Sequence, residues 1–113
     1  MTLLELLASC ESYAERVFAT AAHPVFPDIV PQLQLGAYRA DFGIPERGLC
    51  IEIDGQAYHS SPDQMKRDRQ RDERIAGFGW RILRFSAREI IKDPAACIAE
   101  IIETPEPLPF DEV

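Results

Sequence analysis

Apolar residues recur at helical spacing over residues 2–22, and the pattern predicts one amphipathic helix there. The periodic positions are Leu3, Leu6, Leu7, Cys10, Ala14, Val17, Phe18 and Ala21. Thr2, with Glu5 three residues later, has the pattern of an N-terminal capping box. Pro24 and Pro27 end the helix, because proline cannot continue it.

Three short strands follow. Residues 32–35 alternate polar and apolar side chains, and Tyr38 to Ile44 predicts a second strand. Residues 45–48 form a four-residue turn before a third strand, which is rich in isoleucine and runs from Leu49 to Asp54.

The second half of the chain begins with a long charged helix over residues 62–78, with Ser61 as N-cap and Pro62 at its first position. A fourth strand over 80–85 and two short helices, one reaching residue 92 and the other covering 94–103, complete the prediction. The first three strands are close enough in sequence for an antiparallel meander. The fourth arrives after a helical crossover and should run parallel to its neighbour. We therefore predict an α/β (α+β) fold, a mixed four-stranded sheet flanked by helices.

The length of 113 residues indicates a single domain over 1–103. Proline at every second position from 105 to 109 predicts an extended, exposed, acidic tail over 104–113. The three cysteines form no CxxC pair, which argues against a zinc cluster and favours small core residues. No apolar run is long enough for a membrane span, and the N-terminus lacks the basic region of a signal peptide, so we expect a cytoplasmic protein.

Carboxylates gather on the second and third strands. If the two strands form a hairpin closed by residues 45–48, Asp41 lies opposite Glu52, and Arg39 lies opposite Asp54. Alternation then places the three acids on one face, where like charges across a ladder repel one another. Either the face is solvated and partly neutralised by Arg39, or the carboxylates bind a hard cation such as Mg²⁺.

A histidine and a basic helix follow these acids. His59, a few residues beyond Gly55, is either a general base or phosphate donor, or an ordinary loop histidine. Lys66, Arg67 and Arg71 belong to the one segment with a positive balance: residues 63–93 hold nine bases and six acids in a chain of net charge −7. This segment is either a phosphate-binding face or a solvent-facing helix stabilised by ion pairs.

Four ordered segments resemble a known family. They are Tyr38-Arg39-Ala40-Asp41-Phe42, Cys50-Ile51-Glu52-Ile53-Asp54-Gly55 with Tyr58-His59, Arg67-Asp68-Arg69-Gln70-Arg71-Asp72, and Gly79-Trp80-Arg81-Ile82-Leu83-Arg84-Phe85. Together they are similar to bacterial domains of unknown function related to the very short patch repair endonuclease. These domains belong to the PD-(D/E)XK, or restriction-endonuclease-like, superfamily.

The resemblance implies Mg²⁺-dependent hydrolysis of DNA phosphodiester bonds, with Mn²⁺ able to replace Mg²⁺. Asp41 and Glu52 match the metal-binding acids of the motif, and Glu15 resembles an acid that such proteins direct at the metal. His59 matches the histidine of the patch repair enzymes. Asp54 stands where the superfamily usually has lysine, so His59 or a second metal would have to replace that lysine.

Two functions remain open on this basis. The first is a DNA endonuclease whose metal is held by Asp41, Glu52 and Asp54, and whose strand is positioned by Arg67 or Arg71. Lys66 and Arg39 are the other predicted nucleic-acid contacts. The second is a module that keeps the nuclease fold but only binds nucleic acid or a partner. The acidic net charge and the missing lysine favour the second. A lone domain would depend on a homodimer, a helicase or a modification subunit for its specificity.

Overall fold

The structure, a computed structural model, describes residues 1–55 and 61–105. Its elements, in chain order, are α1 (Leu3–Ala8), α2 (Tyr13–Ala22), β1 (Val30–Leu35), β2 (Tyr38–Ile44), a 3₁₀ turn (Pro45–Arg47), β3 (Leu49–Asp54), α3 (Pro62–Gly77), β4 (Arg81–Ser86), α4 (Ala87–Lys92) and α5 (Pro94–Glu103). Residues 56–60 and 106–113 lie outside this description, and with them His59 and most of the predicted tail.

The prediction of one helix over residues 2–22 was wrong, because the segment forms two helices. The capping box of Thr2 and Glu5 starts α1 as predicted, and Ser9 ends it. Ser12 then caps a second helix, with its hydroxyl accepting a hydrogen bond from the backbone N–H of Glu15. A polar side chain that satisfies a free N–H starts a new helix even where the apolar period continues.

The other elements follow the predicted pattern closely. β2 and β3 have the predicted bounds, and β1 begins two residues earlier than predicted. Ser61 and Pro62 start α3 as expected. β4 is shifted by one residue, and its last residue, Ser86, forms a capping box with Glu89 that starts α4.

The sheet has the order β1-β2-β3-β4. Its first two pairings are antiparallel, and β4 runs parallel to β3. The predicted mixed four-stranded sheet flanked by helices is therefore confirmed.

Both faces of this sheet are covered. The larger core lies between the sheet and the helices α1, α2, α4 and α5, and its buried side chains include Phe18, Phe42, Ile51, Ile90 and Ile101. On the opposite face a small cluster of Ala40, Cys50 and Ile75 forms beneath α3. Because Ile75 is the one buried apolar side chain of α3, polar contacts must hold much of that helix in place.

Two composition-based predictions were also tested. Cys50 and Cys97 are buried, and Cys10 is partly buried, in agreement with their assignment to the core. Across residues 1–55 and 61–105, no helix is long and apolar enough to cross a membrane.

Gly43 of β2 lies close to the side chain of Leu33, which packs in the cluster under α3. A Cβ atom at Gly43 would lie 2.5 Å from Cδ2 of Leu33, closer than two carbon atoms can approach. At Gly77 of α3, a Cβ would meet no atom within 4 Å.

We therefore expect Gly43→Ala to lower the free energy of unfolding by about 1–3 kcal/mol, because the added methyl overpacks the site. The matched substitution Gly77→Ala should leave stability equal or raise it by up to about 1 kcal/mol. Urea denaturation of both variants measures the difference. Equal stabilities would show that Leu33 moves aside without cost.

Candidate active site

Asp41 interrupts the sheet. The ladder between β2 and β3 pairs Ile44 with Leu49 and ends at Phe42 and Ile51. At the next position the Asp41 side chain replaces a backbone acceptor: its Oδ2 accepts the N–H of Ile53 at 2.7 Å. The carboxylate is thereby fixed between two strands.

The same interruption reaches β1. The pairing of β1 with β2 omits Gln32 and Asp41, and Gln32 has a positive φ of 52°. The side chains change face at this point. Phe42 belongs to the large core, whereas Ala40, two residues earlier, belongs to the cluster under α3. Regular alternation therefore does not hold across Asp41.

This break corrects two predictions of register. Asp41 does not pair with Glu52, and Arg39 does not pair with Asp54, because the ladder ends before either position. Arg39 instead makes an exposed ion pair with Glu11 at 3.3 Å. The cation predicted to neutralise the acids is thus bonded elsewhere.

Negative charge nevertheless accumulates around Asp41. Burial raises the pKa of Asp41 from its ordinary value of 3.8 to about 6, and the hydrogen bond from Ile53 opposes this rise. The charges of Glu15, Glu52 and Asp54 raise the pKa further. The other three predicted acids thus lie near enough to Asp41 for their charges to raise its pKa.

Glu15 reaches this region from the first turn of α2. The residue is buried, with 6% of its surface exposed. Its Oε1 accepts hydrogen bonds from Nε2 of Gln32 at 3.2 Å and from the backbone N–H of Glu11 at 3.3 Å. A buried carboxylate needs such donors, so the irregular backbone at Gln32 helps to hold Glu15 near Asp41.

Glu52 is held by a set of donors. The hydroxyl of Tyr38 donates to Oε2 at 2.6 Å, and Nη1 of Arg71 donates to Oε1 at 3.1 Å. Arg84, the neighbour of Glu52 in the parallel β3–β4 ladder, lies 3.8 Å from Oε2. Burial and the hydrogen bond to Glu52 raise the pKa of Tyr38, so the phenol keeps its proton and remains a donor.

A second layer of charges supports this set. Arg84 donates to Oδ1 of Asp72 at 2.7 Å, which connects β4 to α3. Asp68, on the same helix, is buried and accepts a hydrogen bond from Gln64 at 3.1 Å. Burial raises the pKa of Asp54, and the negative charges of Glu52 and Asp68 raise it further.

Five residues of this arrangement had no role in the sequence prediction: Gln32, Tyr38, Asp68, Asp72 and Arg84. Tyr38, Asp68 and Arg84 lie in the segments that carried the family resemblance, so their segments were recognised although their contacts were not. The predicted nucleic-acid contacts divide into two groups. Arg71 reaches Glu52, whereas Lys66 and Arg67 are exposed on α3 and Arg39 is exposed on β2.

The carboxylates do not form a preassembled metal cage. Within residues 1–55 and 61–105, no group of three Asp, Glu, His or Cys side chains is arranged to hold one ion. Glu52 is bonded to Tyr38 and Arg71, and Asp41 is bonded to Ile53. The chemistry of these groups nevertheless suits a hard cation, since they are carboxylates and such cations prefer oxygen ligands. The pKa values of Asp41 and Asp54 are raised in part by neighbouring negative charges.

Comparison with known proteins identifies relatives and a shared fold. A protein of Haemophilus influenzae is 33% identical over 70 residues, which cover 62% of this chain and 57% of that protein. Uncharacterized protein MT2308 of Mycobacterium tuberculosis is 27% identical over 107 residues, covering 86% of this chain and 40% of its own length. The chain thus spans about half the length of these curated relatives.

Among solved structures, the catalytic domain of the homing endonuclease I-Bth0305I superposes with a TM-score of 0.59. The match covers 80% of this chain and 94% of that domain, and 16% of the residues are identical, so the two share the fold. The profile of the family REase_MTES_1575 matches residues 18–104, most of the chain. The chain therefore belongs to the restriction-endonuclease-like family REase_MTES_1575.

Proposed function

We propose that the chain is a metal-dependent endonuclease that hydrolyses phosphodiester bonds in DNA, with Mg²⁺ as its cofactor and Mn²⁺ as a substitute. The observation that carries this proposal is the gathering of Glu15, Glu52 and Asp54 around the carboxylate of Asp41. Like charges held together by rigid strands cost free energy unless a cation joins them. Membership of a restriction-endonuclease-like family supports the same conclusion.

Asp41 and Glu52 would hold the metal, with Asp54 or Glu15 completing the oxygen ligands. Of the two carboxylate oxygens of Asp41, Oδ2 accepts a hydrogen bond from a described residue and Oδ1 accepts none, so Oδ1 is available to a cation. A bound metal ion lowers the pKa of a coordinated water and stabilises the charge that develops on phosphorus. If Glu52 turned toward a cation, the guanidinium of Arg71 would be released and could bind a phosphate in a bidentate manner.

The proton acceptor is proposed from the same region. Asp54 stands where the resembling superfamily usually has lysine, and its carboxylate is one proposed proton acceptor. His59, outside the described residues, is the other proposed base or phosphate donor. Lys66, Arg67 and Arg39, all exposed, would contact flanking phosphates. The finer likeness to very short patch repair enzymes suggests a role in repair or restriction, with a homodimer or a helicase or modification subunit as partner.

A second candidate function is a module that binds nucleic acid or a partner protein without hydrolysis. The specific observation in its favour is the ion pair of Glu52 with Arg71 at 3.1 Å, which occupies one of the proposed metal ligands. Metal binding and cleavage separate the two candidates, and both can be measured on the purified chain.

The first test is cation binding without substrate. We expect Mg²⁺ or Mn²⁺ to raise the melting temperature of the wild type, because a ligand that binds only the folded state stabilises it. Asp41→Asn and Glu52→Gln should each abolish the shift, and Asp28→Asn, at an exposed aspartate, should retain it. An equal shift in all four proteins would place the cation elsewhere.

The second test is the raised pKa of Asp41, which is caused by burial and by the neighbouring acids, measured in EDTA. The folded pKa of about 6 lies above the unfolded value of 3.8, so the folded state binds more protons between these pH values. The stabilising contribution is therefore complete below pH 3.8 and is lost as the pH rises through 6.

As the pH rises from 3.8 to 6, the free energy of unfolding of the wild type should fall relative to that of Asp41→Asn. The expected fall is about 1 kcal/mol after allowance for solvent screening. Urea denaturation across the interval provides the measurement, with Asp28→Asn as the control. A difference between wild type and Asp41→Asn that stays constant with pH would show that the pKa of Asp41 is not raised in the folded state.

The third test is cleavage of duplex, single-stranded and mismatched DNA with Mg²⁺ or Mn²⁺. We expect Glu52→Gln to reduce the rate by about 100-fold or more, since the variant loses a metal ligand. Glu46→Gln, an exposed glutamate on the turn before β3, is the matched control and should cut like the wild type. Metal binding by the wild type without cleavage of any substrate would favour the binding module.

A further inference from the structure

A cavity of about 490 Å³ adjoins the proposed active site on the α3 side of the sheet. It lies between the β1–β2 turn and the C-terminal half of α3, and Gly36, Tyr38, Arg71, Arg74 and Phe78 contribute to its walls. Two of these residues also bind Glu52: the Tyr38 hydroxyl and the Arg71 guanidinium. A molecule in the cavity would therefore be one side chain away from the proposed metal ligand.

The walls combine aromatic rings with an apolar base. Ile75, 1% exposed, lies beneath the cavity, and Phe78 leaves 55% of its surface in solvent. Gly36 has a φ of +59°, and a Cβ there would lie 3.1 Å from Cζ of Phe78. The turn thus supports one edge of the Phe78 ring, while much of the ring stays available to a ligand.

The charged side chains that line the cavity are basic, although the chain has a net charge of −7. Its described lining contains two arginines and no carboxylate. The Arg71 guanidinium lies over the Tyr38 ring, 5.4 Å from its centre. In the described part of the chain, the Arg74 guanidinium hydrogen-bonds to the carbonyl of Gln70 and forms no ion pair.

A flat aromatic ring attached to a phosphate matches this chemistry. Nucleobases stack on aromatic side chains and on guanidinium planes, and arginines neutralise the adjoining phosphates. The volume is within the range of ordinary small-ligand sites. An apolar peptide would account for Phe78 and Ile75 but would leave Arg74 without a counter-charge.

We propose that this cavity binds one unpaired nucleobase of the DNA strand whose phosphodiester bond lies at Asp41 and Glu52. The proposal rests on the proposed nuclease function for the identity of the strand. A base inside a duplex is stacked and cannot enter a side pocket without being extruded. The substrate is therefore a strand that is single or carries an unpaired base.

Binding in EDTA tests this proposal independently of hydrolysis. The probe is a fluorescein-labelled single-stranded oligodeoxynucleotide of about 12 nucleotides, with the same sequence as a blunt duplex for comparison. Fluorescence anisotropy should show tighter binding of the single strand by the wild type. Failure to bind the single strand, or equal affinity for the duplex, would overturn the proposal.

Three variants of one side chain separate stacking from general apolar contact. Phe78→Ala should weaken single-strand binding about tenfold, Phe78→Leu should lose nearly as much, and Phe78→Tyr should keep the wild-type affinity. Ile91→Ala is the matched control, since Ile91 is 48% exposed on α4, outside the cavity lining. Melting curves establish that each variant folds. Wild-type affinity in Phe78→Ala would overturn the proposal.

Single abasic sites placed along the oligonucleotide identify the base. Removal of the base at one position should lower the affinity of the wild type for the oligonucleotide about tenfold. Removal of the same base should change the affinity of Phe78→Ala little. Additive losses would overturn the proposal, since the ring and the base would then act independently.

The two proposals fail in different ways. If abasic coupling to Phe78 is found but Mg²⁺ supports no cleavage, the base site stands and the nuclease function fails. If the wild type cuts DNA and Phe78→Ala binds and cuts as well as the wild type, the nuclease function stands and the base site fails.

Discussion

A carboxylate that accepts a backbone hydrogen bond within a sheet is the constraint on which the site depends. The Asp41 side chain bonds the N–H of Ile53 where a main-chain carbonyl would otherwise lie. The β2–β3 ladder ends there, the side chains of β2 change face, and Gln32 on β1 adopts a positive φ. The hydrogen bond, the end of the ladder and the irregular backbone thus occur together, and they leave an acid between two strands.

The cost of gathering acids is offset by contacts on the α3 side of the sheet. Glu52 is bonded by Tyr38 and Arg71, and Arg84 bridges from Glu52 to Asp72. These ion pairs also attach α3, whose buried apolar contribution is limited to Ile75. The charges that balance the acids and those that anchor the helix are thus the same groups. A cation or a phosphate that bound one of these groups would therefore affect both the balance of charge around the acids and the attachment of α3.

This sharing links the proposed metal ligands to the neighbouring cavity. Tyr38 presents its hydroxyl to Glu52 and its ring to the cavity, and Arg71 contacts both Glu52 and that ring. A ligand on either side therefore competes for, or reorients, the same two side chains. In the proposed enzyme, binding of the DNA strand and binding of the metal ion would therefore each change the contacts of Tyr38 and Arg71.

The sequence by itself determined most of the local structure and the fold class. The capping residues Thr2 and Ser61 marked helix starts, alternation marked β1, and a run of isoleucines marked β3, because these signals depend on neighbours within a few residues. The order of the elements was enough to predict an antiparallel meander followed by a parallel strand. The acids were also named from the sequence, partly through a family resemblance.

Only the tertiary structure decided how those acids are arranged. Alternation assumes an unbroken ladder, but the ladder ends beside Asp41, where the carboxylate accepts the N–H of Ile53. These two residues are twelve positions apart in the sequence. The partners of Glu52 come from three other elements, β2, α3 and β4, so no short sequence window contains them. Arg39 was expected beside the acids and lies with Glu11 instead, because long side chains pair according to spatial proximity. Residue types and periods are local properties, whereas the ends of ladders and the choice of ion-pair partners are set by the packed chain.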